Sequence, residues 1–198
     1  ENTEVSGTLI NAGQAQYKDM TIHAGGNSIN SGYEKGEWLK IEEGGTHSNS
    51  GISIWNKLNI AGSLTNEKDG NLDATKVENT EVTRNLTNNG IANYDDMTIK
   101  DGGVSDNKVY EKGDIKTVGE GGTHKNSGIS IWNEIKIDGG DFENTGKTDT
   151  DKLIIDDGKV EIGGGELNAK DTDLNGGDLV IGNDQPLADE NKAQVEFK

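Results

Sequence analysis

Acidic side chains dominate the chemistry this chain offers: 36 Asp and Glu stand against 19 Lys and Arg, a formal net charge of −17. Glu42-Glu43, Asp95-Asp96 and Asp156-Asp157 are adjacent acid pairs, the residue type used for general acid and base work. Adjacent residues on a strand point to opposite faces, so adjacency alone does not bring two carboxyls together. A lyase also needs a cation to hold an enolate. The single arginine, Arg84, corresponds to Gly7 in the earlier copy of the repeat described below. Catalysis is therefore not expected, and the acids read as a solvated surface that discourages aggregation. His47 and His124 share a Gly-Gly-Thr-His context and are expected to be polar corner residues, too far apart to bind one metal. Hard cations need several converging oxygens, and no site for them, nor for a cofactor, is expected.

Two other sets of residues recur at fixed places. Tyr17, Trp55, Tyr94 and Trp132 fall at one position in alternate short repeats, with Gly36 and Gly113 between them. If the isoleucines of Ile52-Ser53-Ile54-Trp55 point inward, alternation sends Trp55 outward, and these four aromatics become candidate surface contacts for sugar rings or another rod. The competing arrangement folds the rings back over a corner to shield the core. It is preferred, because unpaired exposed tryptophan is usually avoided. Asn11, Asn30, Asn49, Asn88, Asn107 and Asn126 form the second set, spaced so that their amides can stack into a ladder.

The elements that position these residues follow from repetition. Residues 1–62 align with 78–139 without gaps at roughly 37 identities in 62, including Asn49 to Asn56 returning unchanged as Asn126 to Asn133. Inside this long unit is a period of about 19: Met20, Leu39 and Leu58 in one copy, then Met97, Lys116, Ile135 and Ile154. Lys116 breaks the pattern, with Ile115 one place earlier. Gly pairs 25–26, 44–45, 102–103 and 121–122 mark a corner after each Met-Thr-Ile-like strand. One extra residue falls before Glu78, where a bulge or loop is expected.

Nineteen residues at about 3.3 Å make a loop of roughly 60 Å, room for two or three short strands but not for a strand and a crossover helix. Stacked coils pair each strand in parallel with its equivalent about 4.8 Å away. The expected fold is all-β: a parallel β-solenoid of about ten coils, wound as a right-handed β-helix. Only 29% of residues are hydrophobic, which suits a thin core built by each coil against the next. Residues 1–184 are expected to be solenoid repeats (1–77, 78–154, then divergent coils). Residues 185–198, after Pro186, are a cap or the start of a next segment, although Gln194-Val195-Glu196-Phe197 also alternates like a strand.

Composition removes several functions. A pI near 4.4 leaves no basic face for phosphates, which excludes nucleic acid. No apolar run approaches the roughly 18 residues that cross a bilayer, so membrane insertion of this segment is not expected. The absence of cysteine rules out disulfides and thiolate metal sites.

Coils such as Leu58-Asn59-Ile60-Ala61-Gly62-Ser63-Leu64-Thr65-Asn66 and Leu86-Thr87-Asn88-Asn89-Gly90 resemble the repeats of filamentous-haemagglutinin-like exoproteins and autotransporter passengers. The resemblance covers most of residues 1–183. It implies a β-helical segment of a longer adhesin, secreted or displayed at the bacterial surface. Its partners would be a host-cell or surface receptor, such as a glycan, or further copies of itself in a fibre or biofilm matrix. The Asn-Pro signatures of a two-partner secretion domain are not in this sequence.

Overall fold

A segment such as Met20-Thr21-Ile22 has one dry edge and one wet edge, so it gains little until another strand covers the dry one. In the computed structural model this cover comes from the next coil. The structure describes residues 1–74, 79–182 and the strand Gln194–Phe197. All strand pairings among them are parallel, no helix occurs, and the coils wind through about nine turns of a β-solenoid. The residue inserted before Glu78 and the segment around Pro186 lie outside the described residues. Gln194–Phe197 pairs in parallel with residues 166–169, continuing the stack.

Each coil has three faces. Face 1 holds Thr3–Val5, Asp19–Ile22 and residues 38–41 and 57–60, with Met20 against Leu39 and Leu39 against Leu58. Face 2 holds Thr8–Asn11, Asn27–Asn30, Thr46–Asn49 and Ser63–Asn66. Face 3 holds Gln14–Gln16, residues 33–35 and 52–55, and Asn71–Ala74. The second copy repeats the order from Thr80–Val82, Asn85–Asn88 and Ile91–Tyr94 onward.

The core is the face 1 column plus face 2 leucines and face 3 aromatics. Met20, Ile22, Leu39, Ile41, Leu58 and Ile60 are all fully buried, each contributing about 1.5–3 kcal/mol by leaving water. One position departs from the 19-residue count, and another keeps it with a charged residue. Ile135 pairs with Leu153, so Leu153 enters the core and Ile154 faces out; the corner before residue 141 is one residue shorter than its equivalents. Lys116 stays in register between Met97 and Ile135 and is fully buried, while Ile115 lies at the half-exposed edge.

The glycine pairs divide one corner's work. The first of each pair, as at Gly25 and Gly44, has φ near +80°. The second has no room: a Cβ on Gly26 would lie 2.2 Å from the Val5 carbonyl oxygen of the preceding coil.

Candidate functional site

On face 3 the rings lie inside, as the preferred arrangement had it, and they do so by a phase of alternation opposite to the one with inward isoleucines. Ser53 and Trp55 point inward and Ile52 and Ile54 outward. Trp55 and Trp132 are 0% and 1% exposed, Tyr94 is buried and Tyr17 half-buried, so these four residues are not surface contacts. The reason is size and satisfaction together. An indole buries more apolar area than an isoleucine, and Trp55 Nε1 donates to Ser53 Oγ at 2.9 Å, so its polar atom is paired inside. The ring lies across Gly36, where a Cβ would be 2.1 Å from Trp55 Cζ3. Reaching over that glycine, Trp55 stacks on Tyr17, ring centres 5.9 Å apart; Trp132 does the same over Gly113 onto Tyr94, at 6.0 Å. The Tyr94 hydroxyl is buried without a hydrogen-bond partner, and burial and the nearby Glu111 charge push its pKa well above the ordinary value.

The asparagine column is a hydrogen-bonded ladder, two rungs longer than the spacing suggested. Asn11, Asn30, Asn49, Asn66, Asn88, Asn107, Asn126 and Asn144 run in sequence, each Nδ2 donating to the next Oδ1 at 2.8–2.9 Å. Each Nδ2 also donates to a backbone carbonyl of the next coil, as Asn66 does to Ile91 O at 2.9 Å. The Oδ1 atoms of Asn11, Asn30, Asn49, Asn88 and Asn126 accept the N–H of the glycine two residues on. Any residue but proline could donate that N–H; glycine stands at this offset because a Cβ would strike the coil before, as on Gly51, 2.0 Å from the Gly32 carbonyl oxygen. Asn66 and Asn144 escaped the periodic count because corners there lose one or two residues, shifting the spacing to 17 and 18.

Two buried charge clusters occupy the interior at equivalent places. In the first copy Glu34 Oε1 accepts Ser53 Oγ at 2.7 Å and lies 3.0 Å from His47 Nε2, in ion-pair range but outside hydrogen-bond geometry. In the second, Glu111 Oε1 meets Lys116 Nζ, His124 Nε2 at 3.1 Å and Ser130 Oγ at 2.6 Å. Lys116 Nζ also lies 2.9 Å from His124 Nε2 and 4.4 Å from the centre of the Trp132 ring. Burial pushes the Glu111 carboxyl up, but the Lys116 and His124 charges outweigh it and leave it far below its ordinary range. Burial pulls the Lys116 ammonium down to about 8 against the opposing pull of Glu111. Glu34 is lowered too, its burial outweighed by His47, Ser53 and Trp55. The histidines are thus core residues rather than corner residues. Leu39 stands where the second copy has Lys116, so a single residue distinguishes the two clusters.

Asp95 and Asp96 sit at a corner rather than along a strand, and with Asp114 they bring carboxylate oxygens within 4.8 Å of one another. Burial, with the charges of Asp95 and Asp114, raises Asp96. Asp114 Oδ1 accepts from Asn133 Nδ2 at 2.7 Å and Asp96 Oδ1 from the Ile115 N–H at 3.3 Å, so both carboxyls tie adjacent corners together.

With the aromatics inside, the outward side of face 3 carries a different set. One column reads Gln14, Tyr33, Ile52, Asn71, Ile91, Tyr110, Ile129, Lys147 and Glu166, one residue per coil. Two residues along each strand, the other reads Gln16, Lys35, Ile54, Asp73, Asn93, Lys112, Ile131, Asp149 and Asn168. Ile52, Ile91 and Ile129 are 42–48% exposed, and Ile131 is 37% exposed. Over these nine coils the two columns hold three cations and three anions, in a chain with nearly twice as many acids as bases, and the strand Gln194–Phe197 adds Gln194 and Glu196 at the next register positions. Among the described residues no helix is long and apolar enough to cross a membrane.

Compared with known proteins, the chain matches no family model, no curated protein and no solved structure. Fold and faces define it as a β-solenoid repeat protein.

Proposed function

We propose that this chain is a structural and adhesive β-solenoid segment of a bacterial protein that is secreted or held at the cell surface. Its parallel ladders make a stiff rod, and face 3 is where the rod meets a receptor on a cell or other surface, glycan included. One observation carries this reading: an ordered column of exposed Ile with half-buried Tyr on a charge-balanced stretch of an otherwise acidic rod. Contiguous exposed apolar area of this kind marks interaction surfaces. The buried Glu, His and Lys clusters support a non-catalytic role, because a substrate has no way to side chains 0–2% exposed.

Binding of the fluorescently labelled chain to host cells and to a glycan array tests the proposal. Ile52→Glu with Ile129→Glu is expected to cut binding by about tenfold or more while the β-sheet circular dichroism stays unchanged. Binding equal to that of the parent chain, or no binding to any cell or glycan surface, overturns it.

A further inference from the structure

The second outward column of face 3 has a period of its own. From Lys35 it reads Lys, Ile, Asp, Asn, then from Lys112 again Lys, Ile, Asp, Asn, one residue per coil. Cations and anions therefore alternate every two coils, about 9.6 Å apart, with isoleucine or asparagine between. Such a row is complementary to itself when reversed. Turned end for end about the coil of Ile91 and Asn93, it sets Lys35 against Asp149 and Asp73 against Lys112. The same turn sets Ile54 against Ile131.

We propose that face 3 pairs with face 3 of a second copy, antiparallel along the rod, about a two-fold axis that passes through Ile91 and Asn93 and runs along the strands. That operation keeps each column opposite itself and inverts the coil order, so the contact is isologous. In the first column it places Ile52 over Ile129, Ile91 over its own symmetry mate and Tyr33 beneath Lys147, a cation over an aromatic ring. The long duplication explains the match. Ile52 and Ile129 are equivalent residues of the two copies and lie symmetrically about the central coil.

Nine coils at about 4.8 Å and a four-residue strand at about 3.3 Å per residue give a face of roughly 40 by 13 Å. Two such faces bury about 1,000 Å², the lower bound for a specific interface. Within the chain Lys147 lies 3.3 Å from Glu166 and 3.6 Å from Asp149, and Asn168 Nδ2 donates to Asp149 Oδ1 at 2.8 Å, so the contact of Lys35 with Asp149 across the axis adds to pairs already made. The pairing rests on the reading of face 3 as a contact surface and names a second copy as its occupant, so a receptor on that face competes with the dimer.

Sedimentation equilibrium of the whole chain is expected to show monomer passing to dimer, with a dissociation constant on the order of 10 μM, the weak end for interfaces. Lys112→Asp should weaken it about tenfold or more, because symmetry repeats the like-charge contact, and Lys112→Asp with Asp73→Lys should restore it. The chain has no cysteine, so Ile91→Cys should join to itself through a short bifunctional thiol reagent. Ile52→Cys should join only to Ile129→Cys. A single 21.1 kDa species at every concentration overturns the proposal. So does a dimer in which Ile91→Cys does not cross-link and the double charge swap is no better than the single one. A monomer that still binds cells overturns the pairing and not the contact reading; a dimer that binds no surface supports the pairing and overturns that reading.

Discussion

Lys116 sits in a column that Met97 and Ile135 fill on the neighbouring coils, and it stays there because Glu111, His124 and the Trp132 ring together satisfy an ammonium. Counting periods marked it as an exception, since nothing in the spacing says that a lysine can replace an apolar residue. The signal available in the sequence was the pairing of Glu111 and His124 with Glu34 and His47 in the other copy. On face 3 the burial of the rings was the preferred reading, but the phase that achieves it was not legible. Ile-Ser-Ile-Trp alternates equally well either way, and the choice depends on whether an indole has room, which Gly36 provides. The buried acids make a pH prediction. Both Glu34 and Glu111 have folded pKa values below the unfolded value of 4.5, so each contributes stability above about pH 4.5 that is lost as the pH falls through the folded value. The midpoint of urea denaturation is expected to drop between pH 5 and pH 3, and Glu34→Gln with Glu111→Gln should flatten that acid limb. At pH 7 Glu111→Gln alone should cost about 3–5 kcal/mol, because it leaves Lys116 buried without its counter-charge. An acid limb as steep as the parent's in the double variant would remove this account.

At the scale of strands and corners, most of the design was legible. Met-Thr-Ile segments, glycine pairs and the recurring asparagine identified the stack, its period and six of the eight ladder rungs. The rest was lost where a corner changed length. Between Ile60 and Ser63 the corner has two residues where the coil before it has four, and the next corner gains the difference. The backbone absorbs the change at the corners so that Asn66 still reaches Asn49 and Asn88. Keeping the amides in line therefore outweighs keeping the spacing constant. Asn66 is fully buried and takes part in hydrogen bonds with both neighbouring rungs, the Gly70 carbonyl and the Ile91 carbonyl. Asn66→Ala leaves several of these groups unpaired in the interior and should lower stability by about 2–3 kcal/mol. Asn11→Ala, at the half-buried first rung, should cost less. Equal losses at the two positions, measured by chemical denaturation, would contradict the ladder's role.

For the whole molecule, charge is distributed unevenly around the rod: face 3 is neutral over the nine coils from Gln14 to Asn168 while the chain as a whole carries −17. Long-range repulsion between copies and short-range complementarity on one face respond differently to salt. At about 0.01 M the screening length is roughly 30 Å, so whole rods repel; at about 0.15 M it is roughly 8 Å, and only near contacts remain. Self-association through face 3 should therefore strengthen from low to physiological ionic strength. A dimer held only by exposed ion pairs would weaken instead, and light scattering across that range separates the two cases.

The row of amides through face 2 has a direction as well as a length. Every Nδ2 points toward the later coils and every carbonyl toward the earlier ones. Each amide carries a dipole of about 3.5 D, so eight in line sum to on the order of 30 D along the axis. The rod thus has a negative pole at Asn11 and a positive one at Asn144. Pole meets opposite pole when rods abut end to end, and each pole is masked by its reverse when they lie side by side in opposite senses.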